Sequence, residues 1–550
     1  MIKNDKKLEL TWTNKEKSLY YDAETKQYVW VHKKDPRVSE PRILIEKEDY
    51  GEKDSDNILI KGDNLLGLKS LLQDYRNKIN LIYIDPPYNT GNAFEHYEDG
   101  LEQSIWLTMM RDRLELLKQL LRRDGFICCH IDDTEGDYLK VLLDETFGRD
   151  NHQATFYVRV RYPEKTLKSD MDYHKEIERI YIYRKSYSAK PNLTETVTSF
   201  EKFQYYVDEL TEGKEITLGN KKAIMFEKGQ YKIRKGEAGD NGLKEIWASG
   251  TILDGNSSGR FFRDFLTGRY ESDGYGVLYK VFGIGDDKFD YRYFTGPQRE
   301  GATKGKYYQG VPMSSLSDKD KMKRSPIENF YDLAASFGNC RLEGGVEFRS
   351  GKKPEKLLEI IIRHFSKPGD FVLDSFAGSG TSGAVAHKMG RNWIMVEFGE
   401  QANTHIAPRL QRVVSGEDQT GISKEIAWKG GSGFKYFELG ESLFIQDDDL
   451  RYTIINPKMY NGKLIRAVLK VEGFKPYNPD NGLHGLSGST AAHVTEQYLT
   501  QDYINVLLNE IGDKADYLVI YAKTISSSLK LPDNVEVKRM PDVLLKKFNV

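Results

Sequence analysis

Two short apolar runs, Leu81-Ile82-Tyr83-Ile84 and Phe371-Val372-Leu373, are each cut off by an aspartate, Asp85 and Asp374. Runs this short, set between helical patterns, fit parallel strands covered on both faces, which read as continuous apolar segments. An acid at the carboxyl end of such a strand stands where open α/β sheets hold their ligands. The surroundings agree. Ile58-Leu59-Ile60 is a third short run, and Leu65, Leu68, Leu71 and Leu72 follow at helical spacing. Ser104 to Arg123 reads as an amphipathic helix stopped by Gly125, Phe126 to Ile131 as a buried strand, and Asp144 to Gly148 as the close of a further helix. Around the second run, Leu357, Leu358, Ile361 and Ile362 make a helix face. A helix then runs to Gly390, and Trp393 to Val396 is a strand ending on Glu397. This alternation predicts an α/β domain with a mainly parallel sheet.

Between about 190 and 340 the alternation stops. The segment is rich in Tyr, Gly and Lys, with Lys221-Lys222, Arg234-Lys235 and Lys319-Asp320-Lys321 spread among Tyr231, Tyr275, Tyr279, Tyr291, Tyr307 and Tyr308. Residues 151–340 carry 31 Lys and Arg against 27 Asp and Glu, whereas the whole chain has a net charge of −2. Nucleic acid, if bound, is therefore expected on a local basic surface. Most of the tyrosines are expected to be packing. Residues 1–55 read as an arm of short elements, and the last hundred as a small separate α/β unit with a helix at 496–511 and a strand at 517–521. Hydrophobic residues are 39% and charged residues 30%, and no run reaches the ~18 apolar residues of a spanning helix. The N-terminus lacks the apolar core of a secretory signal. Cys128, Cys129 and Cys340 make neither a CxxC pair nor a zinc site. No membrane contact and no metal are expected, and the cytoplasm is the expected compartment.

Two motifs carry chemistry. Asp85-Pro86-Pro87-Tyr88 ends a strand with prolines that fix φ and lack amide hydrogens. The Pro86 carbonyl and the Asp85 carboxylate then offer two acceptors beside a flat aromatic ring. That pocket suits a planar group bearing an NH2, such as adenine, whose amine is a poor nucleophile until acceptors draw it toward tetrahedral geometry. Elsewhere an Asp-Pro-Pro-Tyr is usually a turn; here the apolar strand before it and Asn89-Thr90-Gly91 after it favour a site. In the second motif, Asp374-Ser375-Phe376-Ala377-Gly378-Ser379-Gly380-Thr381, Gly378 and Gly380 permit a tight turn and close approach of a ligand. Asp374 suits an ammonium or hydroxyl. Glu397, 23 residues on, suits the two hydroxyls of a ribose. No Lys-Ser or Lys-Thr follows the glycines, so this is not an ATP loop, and without a full GxGxxG a nucleoside is favoured over a dinucleotide.

These motifs, with Ile60 to Lys69, Leu81 to Gly91, Ile131-Asp132-Asp133, Lys352 to Leu358 and the glycine-rich stretch 415–438, resemble the β-class amino-methyltransferases of DNA. Among those the chain is most similar to the adenine-modifying (Mod) subunits of type III restriction–modification systems. The resemblance implies a Rossmann-like S-adenosylmethionine-dependent core, circularly permuted, with the catalytic motif ahead of the donor motif. It divides the chain into an arm (1–55), a catalytic half (56–190), an inserted target-recognition domain (191–345), a donor-binding half (346–438) and a C-terminal domain (439–550) for dimer or partner contacts, or for stability alone. It implies that Asp85 and the Pro86 carbonyl hold the adenine amine, with Pro87 in the same catalytic motif, and that Tyr88 stacks on the extruded base. Asp374, Phe376, Ala377, Gly378, Gly380 and Thr381 would line the donor. Glu397 would bind its ribose, Asp63 its adenine amine, and Lys353-Pro354 would lie over it. Ser375 departs from a proline common in the family.

The implied activity is methylation of adenine N6 in double-stranded DNA by base flipping, by a homodimer that acts with a restriction (nuclease–translocase) subunit. Arg260, Arg263, Arg269 and Gln298 are candidate base readers, and each is also an ordinary surface residue type. Met109, Met110 and His130 read as core. Cytosine N4 is the alternative target, a mainly DNA-binding role that delivers a nuclease the alternative class, and RNA a third option.

Overall fold

The computed structural model describes residues 9–22, 25, 27–89, 102–164, 173–197, 200–251, 257–313, 322–348, 351–446, 453–459, 463–477 and 482–548. The chain forms two compact units, one of residues 1–192 with 327–550 and one of residues 193–326.

The first unit is built on ten strands. In chain order they are β1 (Leu44–Gly51), β2 (Ile58–Lys61), β3 (Ile79–Ile84), β4 (Leu121–Ile131), β5 (His152–Arg159), β6 (Ile177–Arg184), β7 (Phe330–Asp332), β8 (Phe371–Asp374), β9 (Asn392–Glu397) and β10 (Gly433–Leu439). Their order across the sheet is β7-β5-β6-β4-β3-β8-β9-β2-β10-β1. The central run from β4 to β10 is parallel. Antiparallel pairs appear toward the edges, β6 with β4 and β5 and β1 with β10. The strands bearing the two motifs, nearly three hundred residues apart in sequence, are direct neighbours, with Val372 opposite Leu81 and Leu373 opposite Ile82.

Strand periodicity sends alternate side chains to two cores. Ile82 and Ile84 of β3, Leu373 of β8 and Ile394 and Val396 of β9 join one. Leu81, Tyr83, Val372, Trp393 and Met395 join the other. The first face is covered by α1 (Asn64–Tyr75), α2 (Gln103–Leu120) and α3 (Gly136–Phe147), the second by α4 (Glu355–Phe365), α5 (Thr381–Lys388) and α6 (Ala407–Ser415). Asp63 starts α1 by accepting from the amides of Leu65 and Leu66 at 2.9 and 3.2 Å. Gly67 lets that helix close on β9, because a Cβ there would lie 2.9 Å from Val396.

Three expectations change. The helix expected over 104–123 ends at Leu120, and β4 begins at Leu121. Gly125 is therefore a strand glycine, not a helix stop; a Cβ on it would press within 3.0 Å of the carbonyls of Ile79 and Asn80. The helix expected from 496 starts at Gln501, because residues 490–499 are a strand and Thr500 caps the helix by accepting from the amide of Tyr503. The N-terminal arm is part of the fold: β1 extends the sheet, and Leu19, Val31 and Val38 are in its core.

Residues 475–539 add a five-stranded sheet whose last three strands are parallel. The second unit is centred on a six-stranded antiparallel sheet, with Phe261 and Phe262 of the helix Ser257–Phe265 packed on it. Among the described residues no helix is long and apolar enough to cross a membrane.

Candidate active site

The carboxyl ends of β3, β8 and β9 are adjacent, and β2 lies beyond β9. The chain leaves these four strands at Asp85, Asp374, Glu397 and Asp63. One cavity of about 840 Å³ opens along this edge, and Asp63, Asp85, Tyr88, Asp374, Gly378 and Glu397 all line it. The structure thus brings the two motifs into one cleft.

At one end stands Asp85. Its Oδ2 meets Lys353 Nζ at 2.9 Å. Its Oδ1 is buried with no hydrogen-bond partner among the described residues, a buried acceptor left without a donor on a residue that lines the cavity. Pro86 is buried, and the Pro87 carbonyl accepts from Trp106 Nε1 at 2.8 Å, which pins the loop. Tyr88 presents its ring beneath the Lys353 ammonium, 4.9 Å from the ring centroid, and donates from Oη to Glu178 Oε2 at 3.0 Å. Burial, with the charges of Asp85 and Glu178, pushes its phenol well above the usual range. His130 is fully buried. Its Nε2 lies 2.8 Å from Glu178 Oε2, and its Nδ1 lies 2.9 Å from Tyr83 Oη. Asn89 donates to Glu135 Oε1 at 2.7 Å. Thr90 and Gly91, which extend the motif in sequence, lie outside the described residues.

At the other end is the glycine loop. Gly378 has φ +53° and its Cβ position is open, 3.9 Å from the nearest atom beyond its chain neighbours, the Phe376 carbonyl oxygen. Gly380 differs. It does not line the cavity, and a Cβ there would lie 2.8 Å from Ile406 Cγ2, so it serves packing of the loop against the fold. Asp374 is buried. It accepts from the Phe376 amide at 2.9 Å and from Ser382 Oγ at 2.6 Å. Burial, reinforced by Asp85 and Glu397, raises its carboxyl to about 7 against the pull of those hydrogen bonds. Glu397 holds the loop from the next strand: its Oε2 accepts from the Gly378 amide at 2.7 Å, and its Oε1 accepts from the Gly399 amide and Gln401 Nε2. Phe376, Ala377 and Thr381 also line the cavity. Asp63 lines it too, but spends Oδ1 on capping α1 and faces Arg113 with Oδ2 at 3.3 Å. Pro354 caps α4 and is not part of the lining, while Lys353 is, at the Asp85 end.

A fully buried charge cluster supports the loop from behind. Lys388 Nζ meets Glu355 Oε1 at 2.9 Å and Asp418 Oδ2 at 2.7 Å, and Arg409 Nη2 meets the same Glu355 oxygen at 2.8 Å. Arg409 Nη1 donates to Thr381 Oγ1 at 2.7 Å.

Sequence reasoning missed Glu178, which sits on an antiparallel strand outside any motif, and read His130 as plain core. It also missed Tyr21 and Tyr28 of the N-terminal arm, which reach the cavity beside Phe398, with Tyr21 edge-on to Phe398 at 5.3 Å. The signal for His130 was its place in the run ending at Asp132; the others left none.

In the second unit Tyr279, Tyr293, Tyr307 and Tyr308 are buried. Arg263 is tied to Asp264 and Arg269 to Asp273, each at 2.7 Å. Gln298 donates to the Gly296 carbonyl, and Arg260 is exposed. Lys319-Asp320-Lys321 lies outside the described residues.

A family model described as DNA methylase matches residues 79–407. The chain is 34% identical, over 70% of its length and 54% of the relative's, to a probable type III restriction-modification enzyme HindVI Mod subunit of Haemophilus influenzae. It is 28% identical, over 64% of its length and 59% of the relative's, to the type III restriction-modification enzyme EcoPI Mod subunit of Escherichia phage P1. A third relative, the StyLTI Mod subunit of Salmonella typhimurium, is 28% identical over 60% of this chain and 49% of its own length. The chain spans about half the length of the curated relatives it matches.

Proposed function

Because the chain belongs to the DNA methylase family, we propose that it transfers a methyl group from S-adenosylmethionine to adenine N6 in duplex DNA, as the modification subunit of a type III restriction–modification system. The observation that carries this reading is the shared cleft: Asp85 and Tyr88 at one end, Asp374, Gly378 and Glu397 at the other.

The residues fit the donor. Gly378 leaves open the space a Cβ would fill. Asp374 supplies a buried carboxylate for the ammonium. Glu397, held by the Gly378 and Gly399 amides and by Gln401, lines the cavity where ribose hydroxyls would lie. Phe376 and Thr381 line the same end. When bound, S-adenosylmethionine supplies an electrophilic methyl carbon on a sulfonium sulfur.

The remaining work falls to the chain. The unpartnered Asp85 Oδ1 and the Pro86 carbonyl accept the two amine hydrogens and draw nitrogen toward tetrahedral geometry. Tyr88 stacks on the base, offsetting part of the few kcal/mol that extrusion costs. Asp85 takes the amine proton only after the new N–C bond has formed, so it need not be a strong base. Positioning of this kind is worth up to about 7–11 kcal/mol in favourable cases. The core is then circularly permuted, with the unit 193–326 as the target reader inserted between its halves. We assign the C-terminal sheet to dimer or nuclease–translocase contacts, and the cytoplasm as compartment.

The test is to incubate the protein with unmethylated bacterial duplex DNA and isotope-labelled donor, digest to nucleosides and weigh the product. N6-methyladenine supports the reading. N4-methylcytosine moves it to the other amine, and absence of any methylated nucleoside refutes it.

A further inference from the structure

Glu178 lies on β6, outside every sequence motif, yet three groups of the base end converge on one of its oxygens. Oε2 accepts from Tyr88 Oη at 3.0 Å, lies 2.8 Å from His130 Nε2 and 3.8 Å from Lys353 Nζ. Its side chain is 18% exposed. His130 is itself fixed, fully buried and within 2.9 Å of Tyr83 Oη on β3. Burial opposes the charge of Glu178, but Lys353, then His130, hold its carboxyl down at about 2. The ammonium of Lys353 thus serves two carboxylates, Asp85 and Glu178.

A buried phenol oxygen normally finds a partner. Tyr88 follows two prolines on a loop, and Glu178 on the sheet supplies its Oη with a rigid anchor. We propose that Glu178 is a positioning residue for the methyl transfer: with His130 behind it, it fixes the ring plane of Tyr88 so that an extruded base stacks with its amine at Asp85. This rests on the proposed function, because it takes Tyr88 as the stacking face. The restraint that we assign to Glu178 acts on the Tyr88 ring through the bond from Tyr88 Oη to Glu178 Oε2, beside the longer 3.8 Å approach to the Lys353 ammonium that Asp85 shares. Removing either end removes the same restraint, so the two losses should not multiply.

The test is a double-mutant cycle of Tyr88→Phe, which keeps the ring and loses Oη, and Glu178→Ala. Single-turnover methylation of unmethylated bacterial DNA is followed at saturating donor, with donor affinity measured by calorimetry and folding by circular dichroism. Each single variant should lose about tenfold or more in rate while donor affinity stays within about threefold. The double variant should be no slower than the worse single one within about threefold. Glu178→Gln, whose amide oxygen still accepts from Tyr88 Oη, should recover most of the Glu178→Ala loss. It also replaces the alanine variant in the cycle if that one does not fold. Losses that multiply, or a glutamine variant as slow as alanine, overturn the inference while the wild type still methylates. A wild type that transfers no methyl group overturns the proposed function and this inference with it.

Discussion

Lys353 Nζ lies 2.9 Å from Asp85 Oδ2. Sequence resemblance places this lysine over the methyl donor; the structure pairs it with Asp85, the carboxylate that we propose holds the base amine. Lys353→Met should therefore slow methyl transfer, by about tenfold or more, and weaken donor affinity far less. Single-turnover rates and donor calorimetry separate the two; a variant that loses donor affinity and keeps its rate at saturating donor contradicts this placement.

Asp85→Ala removes the unpartnered acceptor, and Tyr88→Ala the stacking face. Each should lower the transfer rate at least about a hundredfold and leave donor binding within about threefold. A wild-type methylation rate in either variant rejects the assignment of the base end.

The two loop glycines should separate. Gly378→Val fills open cavity space and strains a backbone at φ +53°, so donor affinity should fall about tenfold or more in calorimetry with the melting temperature little lowered. Gly380→Ala adds a Cβ against Ile406 and should lower the melting temperature first. Unchanged donor affinity in Gly378→Val would refute the cradle.

Asp374 gives a pH signature. Its carboxyl is raised to about 7, so between about pH 4, its unfolded range, and pH 7 the folded state holds a proton the unfolded state has released. Its contribution to stability is present below that window and is lost as pH rises through 7. A cationic donor binds the ionised form and expels the proton. Calorimetry of donor binding at pH 6.5 in buffers of differing ionisation enthalpy should show proton release, and Asp374→Asn should abolish it. Equal heats in all buffers for the wild type would sink the prediction.

The buried cluster predicts a stability loss. Glu355→Ala leaves the Lys388 and Arg409 cations buried with a partner missing. Breaking a buried pair from one side costs about 3–5 kcal/mol, read as a lower midpoint in urea. An unchanged midpoint would show that the cluster relaxes or hydrates.

Much of the sheet was legible because its central strands are short, apolar and acid-terminated, and β3, β8 and β9 appear where the pattern puts them. Gly125 misled because its role, closeness to the carbonyls of Ile79 and Asn80, is a tertiary fact with no local signature. The helix at 501–511 was extended backward because Glu496 to Leu499 carries no break before Thr500. In the site, residues at strand ends could be read because geometry fixes where a strand end points. Glu178 could not: it reaches Tyr88 only because β6 runs antiparallel beside β4. Gly378 and Gly380 look alike in sequence and are separated only by what stands opposite their missing side chains.

The neighbours of β3 and β2 in the sheet carry a consequence for biosynthesis. β2 lies between β9 and β10, and β3 has β8 on one flank, so edges made early wait for partners made late. A chain emerging from the ribosome must carry the backbone of β2 unpaired until Asn392–Glu397 has been translated, with the whole 193–326 unit already outside. The cleft is thus assembled late and all at once, and pausing or truncation before Glu397 would leave sticky strand edges in place of a half-formed cleft.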